Sequence, residues 1–207
     1  MREKTLDFWF DFASTYSYPA AMRIERVAGE AGVEVVWRPF LLGPIFAAAG
    51  MNDSPFNLNK AKGDYMWRDL QRACAAEGLT LVRPAQFPQH TLLAARMAVT
   101  GLEAGWTPAF SRAVYDANFA QGLDISQAEV LAPLVTAAGG DAEAALEQAK
   151  SEAVKAQLRD HVELAISRGV FGAPSFITED GELFWGNDRL EQALDWAVKH
   201  HTTREFA

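Results

Sequence analysis

The hydroxyl of Ser14 lies where the chain passes from an alternating apolar segment into a helical one. Residues 5–12 alternate with the period of two expected of a β-strand, and residues 16–31 repeat apolar side chains with the period of a helix. In open α/β sheets, ligands bind beyond the carboxyl ends of strands, where the next helix presents unpaired N–H groups and a partial positive charge. A serine there can donate a hydrogen bond to an anion, but without a base it is a poor nucleophile.

A bound thiol is the group that would benefit most from this donor. Free thiols have a pKa near ~8.5 and are only a few per cent ionised at pH 7, so lowering that pKa by a unit or two enriches the reactive thiolate roughly tenfold or more. Alternatively, Ser14 and Ser17 only cap the helix, since serine is a favoured N-cap residue. The local sequence does not distinguish these two roles.

A second segment, residues 172–176, places Pro174 at the start of a predicted strand. A cis bond before this proline would turn the N–H and C=O groups of Ala173 outward, where they can pair with an extended peptide. An ordinary proline at a strand edge is the alternative. This segment therefore predicts a backbone site for a peptide if the Ala173–Pro174 bond is cis.

A third segment is the turn around Asn187 and Asp188, which leads into the last predicted helix. Backbone N–H groups at such a turn can hold the carboxylate of an amino-acid-like group, while Asp188 takes its ammonium. A capping box formed by Asp188 and Glu191 is the alternative, and it is compatible with binding.

The composition limits the classes of partner. A net charge of -8 argues against nucleic acid, because acidic surfaces repel the phosphate backbone. The single cysteine, Cys74, excludes an internal disulfide and a Cys-x-x-Cys pair, so dithiol exchange is excluded at the Ser14 turn. The four histidines lack metal-ligand spacing, and we expect no metal. The charged residues 1–7 fit neither a signal peptide nor a membrane-spanning helix, which predicts a cytoplasmic protein with no membrane partner.

The surrounding elements form two sheet-forming halves separated by helices. Residues 33–42 predict a second strand ended by Gly43 and Pro44, so the chain opens β-α-β. Helical periodicity follows over 60–77, 89–103, 107–120, 126–138 and 141–168, the last long enough to bend midway. A hairpin and a final amphipathic helix then give β-β-α. This order predicts an α/β, thioredoxin-like fold with an α-helical insertion domain: residues 1–45 and 170–207 form the discontinuous thioredoxin-like domain, and residues 46–169 form the insertion.

Together these segments resemble the family of 2-hydroxychromene-2-carboxylate isomerases and kappa-class glutathione transferases, within the DsbA-like branch of thioredoxin folds. The resemblance runs nearly end to end, and five short motifs in the same order make it specific. They are Asp-Phe-Ala-Ser-Thr-Tyr-Ser-Tyr (11–18), Arg-Pro-Phe-Leu-Leu-Gly-Pro-Ile (38–45), Lys-Ala-Lys-Gly-Asp-Tyr-Met (60–66), Gly-Val-Phe-Gly-Ala-Pro-Ser-Phe (169–176) and Phe-Trp-Gly-Asn-Asp-Arg-Leu (184–190).

The resemblance implies glutathione as the cofactor and assigns residues to it. Ser14 would hold the glutathione thiolate, and Ala173 ahead of a cis Pro174 would pair with the cysteinyl backbone. Asn187 and Asp188 would hold the γ-glutamyl end. Two more polar residues, Asn52 and Lys62, lie where the family places groups that reach the tripeptide or the substrate.

Two positions depart from the family pattern. The family usually has proline after its serine, where this chain has Thr15, and an Asn-Ser pair where this chain has His90 and Thr91. The first change concerns the stiffness of the turn. The second places a titratable group near the edge of the insertion, which signifies either a different substrate or only a surface change.

The resemblance to the isomerase subgroup implies a glutathione-dependent cis-trans isomerase of 2-hydroxychromene-2-carboxylate or a close analogue, acting in aromatic catabolism as a homodimer. We expect Tyr16 and Trp185 to lie near a pocket for this small aromatic substrate. A transferase that conjugates glutathione to electrophiles and a non-catalytic thiol-peptide binding module are the alternatives.

Overall fold

Strand β1 is central to a four-stranded mixed sheet in the computed structural model, which describes residues 4–200. The strands are β1 (Lys4–Phe10), β2 (Val33–Pro39), β3 (Ser175–Thr178) and β4 (Leu183–Trp185). Their order is β2-β1-β3-β4. β1 runs parallel to β2 and antiparallel to β3, which pairs antiparallel with β4. The predicted β-α-β opening and β-β-α ending are confirmed.

Ten α-helices lie within the described residues. They are α1 (Ser17–Ala31), α2 (Leu42–Ala48), α3 (Pro55–Leu58), α4 (Lys60–Ala76), α5 (Leu92–Thr100), α6 (Thr107–Phe119), α7 (Ala128–Ala137), α8 (Ala142–Gln148), α9 (Glu152–Ser167) and α10 (Leu190–Lys199). α1 connects the two parallel strands, and α2 to α9 all lie between β2 and β3 in the chain. Over residues 4–200, no helix is both long enough and apolar enough to cross a membrane.

β1 is buried on both faces only toward its carboxyl end, since residues 8–10 are covered whereas Thr5 and Asp7 are partly exposed. Phe8 and Phe10 point into the larger core, which includes Ile24 of α1. Trp9 points to the other face, into a smaller core with Val162 of α9 and Ile177. Helix α1 packs on one face of β1 and helix α9 on the other, so the carboxyl end of β1 lies in the interior, directly before the Ser14 turn.

The structure corrects two predicted elements and adds two short helices, α2 and α3, that were not predicted. Residues 141–168 form two helices, α8 and α9, rather than one bent helix, because the Ser151 side chain accepts a hydrogen bond from the Val154 N–H (3.2 Å) and caps a new start. The second strand ends at Pro39 instead of residue 42, and Pro44 lies in the first turn of α2, where a proline is tolerated.

The short helix α3 crosses α4 so closely that position 63 requires glycine. A Cβ on Gly63 would lie 2.2 Å from the carbonyl oxygen of Phe56. We expect Gly63→Ala to lower the free energy of unfolding by about 1–3 kcal/mol, because backbone would have to move.

Gly29→Ala is the matched control, since nothing lies within 4 Å of a Cβ built on that helical glycine. It should gain roughly 0.5–1 kcal/mol from helix propensity. Denaturant unfolding of both variants measures the contrast. Equal stabilisation of the two would contradict the close approach of α3 to α4.

Candidate active site

The Ser14 hydroxyl lies between the start of α1 and the loop before β3. It is 8% exposed, donates a hydrogen bond to the Ala173 carbonyl (2.7 Å) and accepts one from the Ser17 N–H (3.3 Å). The residue at the helix boundary is Tyr16, which makes no side-chain cap hydrogen bond. Ser14 therefore satisfies one N–H of the first turn and also serves as a donor, so capping does not exclude the donor role.

The Ala173–Pro174 peptide bond is cis, one of the two isomers left open by the sequence. The Ala173 carbonyl accepts the hydrogen bond of Ser14, and the Pro174 carbonyl accepts one from the Gly186 N–H (2.9 Å). This arrangement brings Ser14, the Ala173 backbone and the end of β4 into one continuous hydrogen-bonded set. The three segments predicted to bind a ligand, the Ser14 turn, residues 172–176 and the turn after β4, are therefore adjacent.

A buried carboxylate, Asp11, holds the turn that carries Ser14. Its two oxygens accept hydrogen bonds from the N–H groups of Ala13 (2.9 Å) and Leu42 (2.8 Å) and from the Thr91 hydroxyl (3.0 Å). Its carbonyl accepts from the Ser14 N–H (2.9 Å). Burial raises the pKa of the Asp11 carboxyl, although these three donors act to lower it. Asp11 thus ties the turn to the starts of α2 and α5.

Side chains of α6 hold the same turn from behind. The Tyr115 hydroxyl donates to the Asp11 carbonyl (2.9 Å), and the Asn118 amide donates to the Phe12 carbonyl (3.0 Å). Gln89 donates in turn to the Asn118 side chain (2.9 Å). No role was predicted for these residues from the sequence. Asp11 could have been identified, because a carboxylate directly follows an apolar strand there. Nothing in the neighbouring sequence distinguishes Gln89, Tyr115 and Asn118.

The residues after Ser14 attach the turn to α4. The Thr15 hydroxyl is buried and contacts the sulfur of Met66 (2.9 Å), so this departure from the family pattern fills an interior contact with the insertion. The Tyr16 hydroxyl donates to Asp69 (2.9 Å), and burial, together with Asp69, raises the pKa of Tyr16. The Tyr16 ring is half-buried, which leaves part of one aromatic face beside the site.

Lys62 joins this group through an aromatic ring. Its ammonium lies 5.6 Å from the centre of the Phe56 ring, and that ring lies 6.3 Å from the Tyr16 ring. Asn52 is exposed in the bend between α2 and α3, and His90 is exposed before α5. The structure thus connects Lys62 to the Ser14 turn by way of Tyr16, whereas Asn52 and His90 lie on the surface.

Trp185 lies against the loop that holds the cis bond. A Cβ on Gly172 would lie 2.3 Å from its indole nitrogen, so the ring packs directly on this glycine. Its other neighbour is Phe171, at 5.0 Å between ring centres. Both rings are about half exposed, Phe171 at 54% and Trp185 at 48%. They form an aromatic surface next to Ala173.

The predicted capping box at Asp188 is wrong. Asn187–Arg189 form one 3₁₀ turn before α10, and neither helix start has a side-chain cap hydrogen bond. Glu191 instead pairs with Arg23 of α1, so it does not reach back along its own helix. The Asp188 side chain is exposed and lies 3.4 Å from Arg189. It is accessible to a ligand.

Over residues 4–200, no three His, Cys, Asp or Glu side chains cluster as a metal site would require. His161 is buried against the Pro39 carbonyl (2.9 Å), and burial lowers its pKa. Cys74 is also buried, and burial raises the pKa of its thiol to about 11, which disfavours a reactive thiolate.

The sequence and the fold both resemble known proteins. The DSBA-like thioredoxin domain matches residues 5–196. A 2-hydroxychromene-2-carboxylate isomerase of Sphingobium xenophagum is 34% identical over 91% of this chain and 95% of its own length. A glutathione S-transferase kappa 2 of Caenorhabditis elegans is 26% identical over 95% of this chain and 92% of its own. A solved structure of a 2-hydroxychromene-2-carboxylate isomerase has a TM-score of 0.82 at 31% identity, covering 95% of each chain. The predicted thioredoxin-like fold with a helical insertion is confirmed.

Proposed function

This chain belongs to the family of 2-hydroxychromene-2-carboxylate isomerases, which carry a DsbA-like thioredoxin domain, and from that premise we propose that it is a glutathione-dependent cis-trans isomerase of 2-hydroxychromene-2-carboxylate or a close analogue. The prediction of an isomerase is confirmed by these relatives. The use of glutathione and the role of Ser14 are the substance of the proposal.

One observation carries it: the Ser14 hydroxyl and the Ala173 carbonyl meet at 2.7 Å, beside a cis bond and at the start of α1. A donor and an acceptor thus lie side by side where the helix supplies a partial positive charge. A thiol peptide would use both by exchange: its backbone N–H takes the place of the Ser14 hydroxyl at the Ala173 carbonyl, and the hydroxyl turns to donate its one hydrogen bond to the sulfur. The residues present therefore fit a cysteine-containing peptide.

The other predicted contacts fit the two ends of glutathione. Asp188 is exposed and carries the negative charge that an ammonium needs, and the N–H groups of the turn at Asn187 suit a carboxylate. Lys62 supplies a positive charge over the Phe56 ring, which lies beside Tyr16, and we assign it, with Asn52, to the remaining polar parts of the tripeptide or the substrate.

Rotation about a carbon–carbon double bond requires its π bond to be broken temporarily. When bound, glutathione would supply a soft thiolate that adds reversibly to the conjugated double bond and leaves unchanged. Ser14 keeps that sulfur ionised by a charge-assisted hydrogen bond, which is stronger than a neutral one. The turn anchored by Asp11 holds the Ser14 hydroxyl in place for this purpose.

The aromatic half of the substrate would lie against the exposed rings. Phe171 and Trp185 border Ala173, and the half-buried Tyr16 lies two residues after Ser14. Flat apolar rings stack favourably on such surfaces. The homodimer implied by the resemblance and the cytoplasmic location stay predictions.

Product analysis tests the proposal. The protein is incubated with 2-hydroxychromene-2-carboxylate, with and without glutathione, and both the carbon product and the remaining glutathione are quantified. We expect conversion to trans-o-hydroxybenzylidenepyruvate only with glutathione present, and full recovery of the glutathione. Glutathione consumed in proportion to turnover would assign a transferase, the activity named for the kappa relative. Binding without turnover would assign a thiol-peptide binding module.

A further inference from the structure

Arg23 is a buried cation in the middle of α1, where the site described so far does not use it. It is 7% exposed, and its guanidinium points toward the turn after β4. Its Nε donates to the Asn187 side-chain oxygen (3.1 Å), and one terminal nitrogen donates to the Asn187 carbonyl (2.6 Å). Both terminal nitrogens also contact the Glu191 carboxylate. A single side chain thus holds both the side chain and the backbone of Asn187.

These bonds determine which end of the Asn187 amide faces away from α1. Because Oδ1 accepts the hydrogen bond of Arg23 Nε, the Nδ2 group is the opposite end, and it is a donor. A donor next to the N–H groups of the 3₁₀ turn favours an anionic partner. With an apolar residue at position 23, the amide would be free to rotate and would present either end.

The Glu191 carboxylate neutralises the charge of Arg23, so that the ion pair can hold Asn187 without adding a net charge to the turn. Burial opposes ionisation of Glu191, but the hydrogen bond from Arg23 and the backbone N–H outweigh it, and the pKa of Glu191 is lowered. The pair is therefore charged on both sides and adds little net charge to the turn. A planar guanidinium is needed because it makes several bonds in fixed directions, which a lysine ammonium does not.

We propose that Arg23 is a positioning residue that holds Asn187 and the turn at 187–189 in the arrangement that recognises an α-amino-acid end group, the γ-glutamyl end of a thiol peptide. This inference rests on the proposed function. Its basis is that Ser14 lies just before α1, where its hydroxyl accepts a hydrogen bond from the Ser17 N–H, and that Arg23 lies at the middle of the same helix. One rigid helix thereby sets the distance between the thiol site and the end-group site.

The test compares glutathione with cysteinylglycine, which lacks the γ-glutamyl group and has a free amine at the cysteinyl nitrogen in place of the amide. Affinities are measured by calorimetric titration for wild type, Arg23→Met and Arg23→Lys. We expect wild type to prefer glutathione, Arg23→Met to lose roughly tenfold or more of the glutathione affinity, and cysteinylglycine affinity to stay within about twofold. Arg23→Lys should lie between, because it keeps the charge without the fork.

Arg26→Met is the matched control, since Arg26 is an exposed arginine of the same helix that pairs with Glu30 and Glu77. It should leave both affinities unchanged. Asn187→Ala should lose the same glutathione preference. The double variant with Arg23→Lys should lose little further glutathione affinity, because both changes disrupt the same contact, that between Arg23 and Asn187. Thermal unfolding of each variant identifies any loss of folding, and the Asn187→Ala and Arg23→Lys comparison stands if Arg23→Met does not fold.

The outcomes separate the two proposals. If wild type binds neither thiol, or binds both equally, the proposed use of glutathione fails. If wild type prefers glutathione and the Arg23 variants keep the same preference, or lose affinity for both thiols alike, the positioning role of Arg23 is overturned while the proposed function stands.

Discussion

Replacing Ser14 with alanine should raise the pKa of the bound thiol by about one to two units. The Ser14 hydroxyl can supply one hydrogen bond to a charged sulfur, which contributes roughly 1.5–3 kcal/mol, and one pKa unit corresponds to about 1.4 kcal/mol. At neutral pH, a bound thiol whose pKa returns from about 6.5–7.5 to ~8.5 should lose its thiolate fraction roughly eight- to twenty-fivefold, and the turnover number should fall with it. Binding should weaken less, because the proposed pairing of the peptide with the Ala173 backbone does not require the Ser14 hydroxyl. The ultraviolet absorbance of the bound thiolate, followed against pH, measures the pKa directly.

Ser167→Ala is the control for this result. The Ser167 hydroxyl also donates to a backbone carbonyl, that of Leu164 (2.8 Å), but it is exposed at the end of α9. Its removal should change neither the thiol pKa nor the rate. A Ser14→Ala enzyme whose bound thiol titrates as in wild type would show that Ser14 only caps α1, the alternative that the local sequence left open.

Replacing Asp11 with alanine should remove several kcal/mol from the free energy of unfolding. The N–H groups of Ala13 and Leu42 and the Thr91 hydroxyl would lose their acceptor in the interior, and each unsatisfied group costs about 1–3 kcal/mol. Because these costs are not strictly additive, we expect a loss of about 3–5 kcal/mol, a large fraction of the ~5–15 kcal/mol typical of a domain. Denaturant unfolding measures it.

Asp64→Ala supplies the comparison, since Asp64 pairs with Lys60 on the exposed face of α4. An exposed pair of this kind contributes about 0–1 kcal/mol. If Asp11→Ala were no more destabilising than Asp64→Ala, the three hydrogen bonds would not support the Ser14 turn. A folded Asp11→Ala protein should also bind glutathione more weakly, because the turn would no longer be held to α2 and α5.

The chemistry-bearing groups that sequence analysis identified are those whose role follows from near neighbours. Ser14 was identified because a strand precedes it and a helix follows, and Pro174 because a strand starts there. The helix predicted to begin at residue 141 does begin there, because the Asp141 side chain accepts a hydrogen bond from the Ala144 N–H. The break at Ser151 was missed, although its capping signal is equally local.

The supporting groups were not identified, because their partners are remote. Nothing near Glu191 in the chain indicates that its carboxylate would bind Arg23, 168 residues away, instead of forming the capping box. The start of α2 at Leu42 was predicted as strand. Its first N–H donates to the Asp11 carboxylate, 31 residues earlier, and no pattern near Leu42 indicates that acceptor. The roles of Asn52, Lys62, Tyr16 and Trp185 toward a ligand stay predictions.

By itself, the sequence determined the β-α-β opening, the helical block, the β-β-α ending, the hydroxyl just before α1 and the absence of a redox cysteine pair. These depend on residue type and on periodicity within a turn or a strand. Only the tertiary structure decided which acceptor each donor meets: Ser14 with Ala173 across 159 residues, Thr91 with Asp11 across 80, and Arg23 with Asn187 across 164. A buried polar group must find a partner, but which partner it finds depends on how distant elements pack, and no local pattern records that packing.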